Sequence, residues 1–329
     1  MEAISIMIWV GVIFLYYLLA TLMPIDKIIG RIYPVFAFAL IFMALALMVC
    51  LFVKWPSLPE LWDGLGNLGE SKGLLSGQPI FPCLFITIAC GAVSGFHATQ
   101  SPMMARCLTD ERLGRPVFYG AMITEGIVAL IWATVSSWFF FDGGAAEVGA
   151  TVSAAAPDVV VKVSKGWLGV LGGILAILGV VAAPITSGDT AFRSARLIVA
   201  DFLHLNQKPV ANRLMISIPL FLIAGVLLWY NIADENGFNI IWRYFGWANQ
   251  TLAVFMLWTA TAYLVKFMKG LTYLITMIPA AFMTAVCTTY ICVAKIGLGL
   301  PDSWNRAIGL ATFVVSLVVF YILYFRRRK

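Results

Sequence analysis

A stretch of about 20 consecutive apolar residues is long enough to cross the hydrocarbon core of a bilayer. This chain carries nine such runs, near Ile4–Met23, Tyr33–Val53, Ile80–Phe96, Val117–Phe140, Trp167–Ala183, Leu214–Ile232, Trp247–Val265, Leu271–Ala294 and Ile308–Phe325. A soluble core has no room for that much uninterrupted apolar sequence. Charged residues make up only 12% of the chain, about half the share of a soluble domain. The expected fold is an all-α integral membrane protein of about nine transmembrane helices, in one polytopic domain over residues 1–329. The third and fifth runs are short, with Gly-rich or Pro-containing flanks. The Trp- and Pro-rich stretch Lys54–Pro79 is amphipathic and is placed at the membrane interface.

The basic residues set the expected orientation. The loops after the first, third, fifth and seventh runs, together with the tail, hold about two thirds of the 22 Lys and Arg, and such loops face the cytoplasm. The tail Arg326-Arg327-Arg328-Lys329 is then cytoplasmic and the N-terminus is outside. The first run starts after three residues, with neither a basic leader nor a cleavage site, so it is not a signal peptide. Two readings of that start stay open: a natural helix with its N-terminus outside, or the C-terminal part of a longer transporter.

Several functions are disfavoured by what the chain lacks. The net charge of +6 comes from residues between apolar runs rather than from a basic stripe, so no nucleic-acid partner is expected. The six Cys form no CxxC pair and there are only two His, so neither a metal nor another cofactor is expected. No GxxxxGK[ST], HExxH or GxSxG is present, which argues against an ATPase and against an enzyme. A sensor would carry a soluble output domain, and the four-residue basic tail is too short for one.

Function is sought where the apolar pattern breaks, because a broken helix in a membrane is tolerated only inside protein or beside a watery cavity. The first break is at Ser94-Gly95, followed by His97, Thr99, Gln100 and Ser101 without a charge, with Pro102 placed to open a new helix. The second is at Ser187-Gly188-Asp189, after Pro184 disrupts the fifth run; Thr186, Thr190 and Arg193 flank it. Each is readable as a substrate or ion site. Each is equally readable as ordinary helix-end chemistry, since Ser and Asp are common N-caps. Both segments run from a Gly/Ala-rich span through Ser-Gly into a polar helix bearing Arg. By the topology count they enter from the same side, so they are not an inverted pair.

Glu125 is the one acidic residue well inside a run, and an intramembrane carboxylate is a functional candidate. It is the candidate proton-coupling group, with His97 and Asp189 as partners near the breaks; a static salt bridge is the competing reading. Asn249 and Gln250 open the seventh run and either bind substrate or join helices. The loop Thr109–Arg115 reads as a solvated charged turn.

Four stretches resemble the carbon starvation protein A family: Pro24-Ile-Asp-Lys-Ile-Ile-Gly-Arg31, Ser94-Gly-Phe-His-Ala-Thr-Gln-Ser-Pro102, Pro184-Ile-Thr-Ser-Gly-Asp-Thr-Ala-Phe-Arg-Ser-Ala-Arg196 and Phe245-Gly-Trp-Ala-Asn-Gln-Thr-Leu252. The resemblance covers nearly the whole chain. It implies a multi-pass transporter of the bacterial inner membrane, induced on nutrient limitation and grouped with amino acid–polyamine–organocation-type carriers. It also implies peptides or pyruvate as substrate, with a proton as the coupled ion. Family members usually begin with further spans ahead of the Pro24–Arg31 segment, and those spans carry motifs absent here.

Overall fold

The structure, a computed structural model, describes residues 2–22, 25–60, 62, 66–71, 73, 78–151, 156–234 and 237–324, except for the side chains of 2–7, 21–22, 25–33, 70, 90, 92, 180–184 and 186. The fold is that of an all-α membrane protein, with no strand among the described residues. Its main helices are α1 (Glu2–Leu22), α2 (Ile25–Lys54), α3 (Phe85–Ala92), α4 (Phe96–Cys107), α5 (Gly120–Phe141), α6 (Ala156–Ala176), α7 (Ala182–Phe202), α8 (Val210–Ala233), α9 (Gly237–Phe267), α10 (Leu274–Val293) and α11 (Asn305–Tyr324). Six helical stretches are long and apolar enough to cross a membrane, and the shorter apolar helices Ile8–Ala20 and Ile80–Ala89 fall on the first and third expected runs. The expected seventh run lies in α9, which spans 31 residues but holds Arg243, Asn249, Gln250 and Lys266.

The chain divides into two compact units: residues 1–62 with 107–227, and residues 63–106 with 228–329. In the first, α2, α5 and α6 meet around Met43, Leu47, Val135, Phe139 and Val163. Trp138 packs on Trp167 with ring centroids 4.6 Å apart. The helix α7 lies against α1. In the second unit α10 packs between α9 and α11, and α3 lies against both α9 and α10. Small residues line that packing, among them Ala253, Ala280, Ala281, Ala285 and Gly309. Between helices in lipid, close backbone approach replaces the hydrophobic drive of water, so small side chains are what such contacts need.

Departures from regular helix sit at specific residues. A π turn at Arg115–Tyr119 leads into α5, with Pro116 in its first turn, and another at Ile177–Val181 leads into α7. Pro184 falls three residues into α7, and an imino nitrogen cannot donate to the turn before it, which accounts for the widened turn there. Trp55 ends α2 at φ 44 while its N–H still reaches the Leu51 carbonyl at 2.9 Å. A left-handed conformation costs a residue with a Cβ about 1–2 kcal/mol.

Three expectations about the backbone are corrected. The helix α7 runs unbroken through Ser187, Gly188 and Asp189, so these are not an N-cap; they stand in its second turn. The irregularity lies earlier, in the π turn and at Gly169, where φ 64 and ψ −149 interrupt α6. That combination is essentially restricted to glycine. The helix that covers the start of the fifth expected run begins at Ala156, ahead of Trp167, and is interrupted at Gly169. Pro102 does not open a helix either. It sits inside α4, which begins six residues earlier because its first turn is capped by Asn249. Pro24 and the side chains of the Ile25–Arg31 stretch lie outside the described residues.

Candidate functional site

The break at Ser94–Gly95 is present and belongs to the second unit. Helix α3 stops at Ala92, and Val93 leaves helical space at φ −143, ψ 77. Three residues later, at Phe96, α4 begins. A helix start exposes backbone N–H groups that need acceptors, and here the acceptor comes from a distant element. The Phe96 N–H donates to Asn249 Oδ1 of α9 at 3.0 Å. The same carboxamide donates through Nδ2 to Ser94 Oγ at 3.1 Å. His97 N–H returns to the Ser94 carbonyl at 3.2 Å and Ala98 N–H to the Gly95 carbonyl at 3.0 Å. One turn of α9 therefore closes the break.

The neighbouring residue fastens the other side of it. Gln250 is fully buried and its Nε2 donates to the Ile86 carbonyl of α3 at 3.3 Å. Asn249 and Gln250 thus hold α3 and the start of α4 together from two sides. Gly95 is required by the closeness of this approach: a Cβ there would overlap the Asn249 carbonyl oxygen and lie 2.8 Å from Leu252 Cβ. Nearby, Trp247 Nε1 donates to the Cys287 carbonyl at 3.0 Å, and the Phe96 ring meets Phe245 at 5.5 Å.

The remaining residues of the first segment lie on α4. His97, Thr99, Gln100 and Ser101 are all half-buried. The Thr99 hydroxyl donates to the Phe96 carbonyl at 2.9 Å. No described residue of α4 is fully buried within the chain. The result is a short polar helix, free of charge until Arg106 in its last turn, whose base is locked and whose flank is half open. Hydroxyls, an imidazole and a carboxamide on such a flank can hydrogen-bond a carboxylate or an amide without a charge of their own.

The second segment lies in the other unit. Asp189, Thr190, Arg193, Ser194 and Arg196 are buried on α7. Arg193 Nη2 donates to the Ala20 carbonyl of α1 at 2.7 Å and approaches Asp189 Oδ1 at 3.5 Å, one turn away on the same helix. Gly188 lies directly beneath the Tyr17 hydroxyl of α1, and Tyr17 packs on Phe192 at 5.3 Å. A buried charge must be paired and hydrogen-bonded to be tolerated, and this pair meets that demand while tying α7 to α1. Ser187 is half-buried, and the side chain of Thr186 lies outside the described residues. Glu125 stands in the second turn of α5 and is exposed, unlike the buried Asp189–Arg193 pair of the same unit.

The structure therefore joins two segments that sequence reading kept apart, Ser94–Gly95 and Asn249–Gln250. It places Asp189 and Arg193 in an ion pair between helices. The residues that sequence reading missed are Ile86, Ala20 and Tyr17. Two contribute only carbonyls, and Tyr17 lies in an apolar run, so no local signal marked them.

Comparison with known proteins gives a family and several relatives. The family described as carbon starvation protein CstA matches residues 2–168 and 142–290. A Haemophilus influenzae protein described only as an uncharacterized membrane protein is 45% identical over 151 residues, covering 42% of this chain and 41% of its own. The peptide transporter CstA of Escherichia coli is 29% identical over 296 residues, covering 71% of this chain and 41% of its own. The pyruvate/proton symporter BtsT of the same organism is 28% identical over 324 residues, covering 72% and 43%. The chain thus spans less than half the length of these relatives. No solved structure matches it.

Proposed function

Since this chain belongs to the carbon starvation protein CstA family, we propose that it serves as a secondary transporter of peptides or pyruvate, driven by proton symport. The observation that carries the reading is the helix break at Val93–Gly95, closed by the Asn249 carboxamide. A carrier needs polar backbone and side-chain groups in the membrane that a substrate can reach, yet which stay hydrogen-bonded when it leaves. The Ser94–Asn249 link supplies the second property, and the half-open flank of α4 supplies the first. On this reading His97, Thr99, Gln100 and Ser101 contact the substrate, while Ser94, Asn249 and Gln250 position them.

The same proposal includes nine spans, an amino acid–polyamine–organocation-type bundle, a location in the bacterial inner membrane and a cytoplasmic C-terminus. Glu125 carries the coupling proton, with His97 and Asp189 as the next candidates. The names of the Escherichia coli relatives support the substrate classes. The test is uptake of labelled pyruvate and of a labelled dipeptide into proteoliposomes, with and without an inward proton gradient. One arm uses this chain alone and a second adds the N-terminal spans of a longer relative. Gradient-driven accumulation of either compound in either arm is expected. Its absence in both arms for both compounds would reject the proposal.

A further inference from the structure

The first unit holds a groove away from the residues of its Asp189–Arg193 pair. It encloses about 790 Å³ between α2 and α5, with Met48, Leu51, Phe52, Ile127, Leu130 and Ile131 as its apolar walls. Its walls are open to the surroundings: Leu130 is 70% exposed and Phe52 66%. The polarity of the lining is one-sided. Thr134 reaches the groove, but its hydroxyl is spent on the Leu130 carbonyl at 2.9 Å. The other polar lining residues, Ser57 and Glu60, both come from the segment that follows the end of α2.

That segment is held in place at a conformational cost. Trp55 takes φ 44, which turns the chain out of α2 so that Trp55–Leu58 and Glu60 line the groove. The Trp55 ring is 76% exposed and lies 6.2 Å from Phe52. Tryptophan at the end of a membrane helix favours the headgroup level of the bilayer. From Ile127 to Thr134 the groove runs about 10 Å along α5 at 1.5 Å per residue. That is roughly half the length of an acyl chain.

The charge at the polar end selects among lipids. Glu60 is the one charged residue lining the groove among those described. The adjacent Lys54 is already engaged, its Nζ 2.7 Å from Glu147 Oε1 and 5.5 Å from the centre of the Trp167 ring. A net negative rim attracts an ammonium and repels an anionic headgroup.

We propose that this groove is a binding site for one phospholipid with a primary-amine headgroup, its acyl chain lying between α2 and α5 and its ammonium at Glu60. The site is separate from the α3–α4 break, so its test does not depend on transport.

The protein, delipidated in mild detergent, is offered equal amounts of phosphatidylethanolamine and phosphatidylglycerol and read by native mass spectrometry. One retained phosphatidylethanolamine is expected, preferred about fivefold, the ratio that one screened charge contact supplies. Glu60→Gln removes the preference without removing the lipid. Leu130→Trp fills the groove and removes retention of both lipids; Ile127→Trp on the next turn is the second variant, and both are checked for parental helicity and melting. Equal retention of the two lipids by the parent overturns the proposal. So does undiminished retention in both tryptophan variants. Displacement of the lipid by a dipeptide overturns it in favour of a substrate vestibule.

Discussion

Replacing Asn249 by Leu removes the group that closes the α3–α4 break. Two hydrogen bonds are lost: the one from the Phe96 N–H at 3.0 Å and the one to Ser94 Oγ at 3.1 Å. Loss of a helix N-cap costs about 1 kcal/mol. Side-chain hydrogen bonds between membrane helices average about 0.6 kcal/mol, and a buried donor left unsatisfied adds roughly 1 kcal/mol. The sum is about 2.6 kcal/mol, which corresponds to roughly an 80-fold rise in the population of the opened break. Hydrogen exchange followed by mass spectrometry on a peptide covering residues 93–107 reads that population directly when closing is faster than exchange. The Leu variant is expected to exchange there about 80-fold faster, with little change in α10. Asn249→Asp retains an acceptor for Phe96 and is expected to fall between the parent and Leu. Ser94→Ala removes one of the two bonds and is expected to exchange a few-fold faster. Unchanged protection of residues 93–107 in Asn249→Leu would refute the claim that α9 closes the break.

Four further outcomes follow from the same geometry. Gly95→Ala is expected to lower melting more than Gly188→Ala, because the first Cβ meets a backbone carbonyl of α9 whereas the second meets the movable end of Tyr17; equal effects would contradict this. Gly169→Ala forces a Cβ into φ 64, ψ −149 and is expected to cost about 1–3 kcal/mol, read as a lower melting temperature in detergent; an unchanged melt would show that the kink is not held. Asp189→Asn and Arg193→Ala are each expected to cost about 3 kcal/mol as single changes to a buried pair, and a double-mutant cycle on melting should show non-additivity; strict additivity would mean the 3.5 Å approach carries no coupling. A single Cys at Ala146, an exposed position, is expected to react with an impermeant maleimide on whole cells while the tail does not; the reverse pattern would invert the proposed orientation.

The membrane class and most helices are visible in the sequence because apolar length is a local property. The Gly95 break is visible for a similar reason: an apolar run ends at Ser-Gly and is followed by six uncharged residues, of which His97, Thr99, Gln100 and Ser101 carry hydrogen-bonding side chains. What closes the break is not visible. Asn249 lies more than 150 positions from Ser94, and a carboxamide opening a span looks the same whether it caps a helix or binds substrate. The segment around Gly188 misleads for a physical reason. Ser-Gly-Asp after a proline has the composition of a helix start, yet the Asp189 carboxylate is paired with Arg193 one turn on and the glycine makes room for Tyr17. The proline acts one turn earlier, by widening Ile177–Val181. Gly169 is lost in a Gly-rich stretch whose other members are helical, so composition alone does not single it out.

If substrate binds at the locked, half-open start of α4, it must shield the side chains there. That shielding is tested most directly by ligand protection of a single Cys. His97→Cys is made in a background lacking the six native Cys, and its alkylation rate is measured in proteoliposomes with and without saturating pyruvate or dipeptide. One of the two compounds is expected to slow alkylation at position 97 several-fold and to leave a Cys at exposed Ala146 unaffected. Equal rates at position 97 with and without both compounds, in protein that still accumulates either one, would contradict binding there.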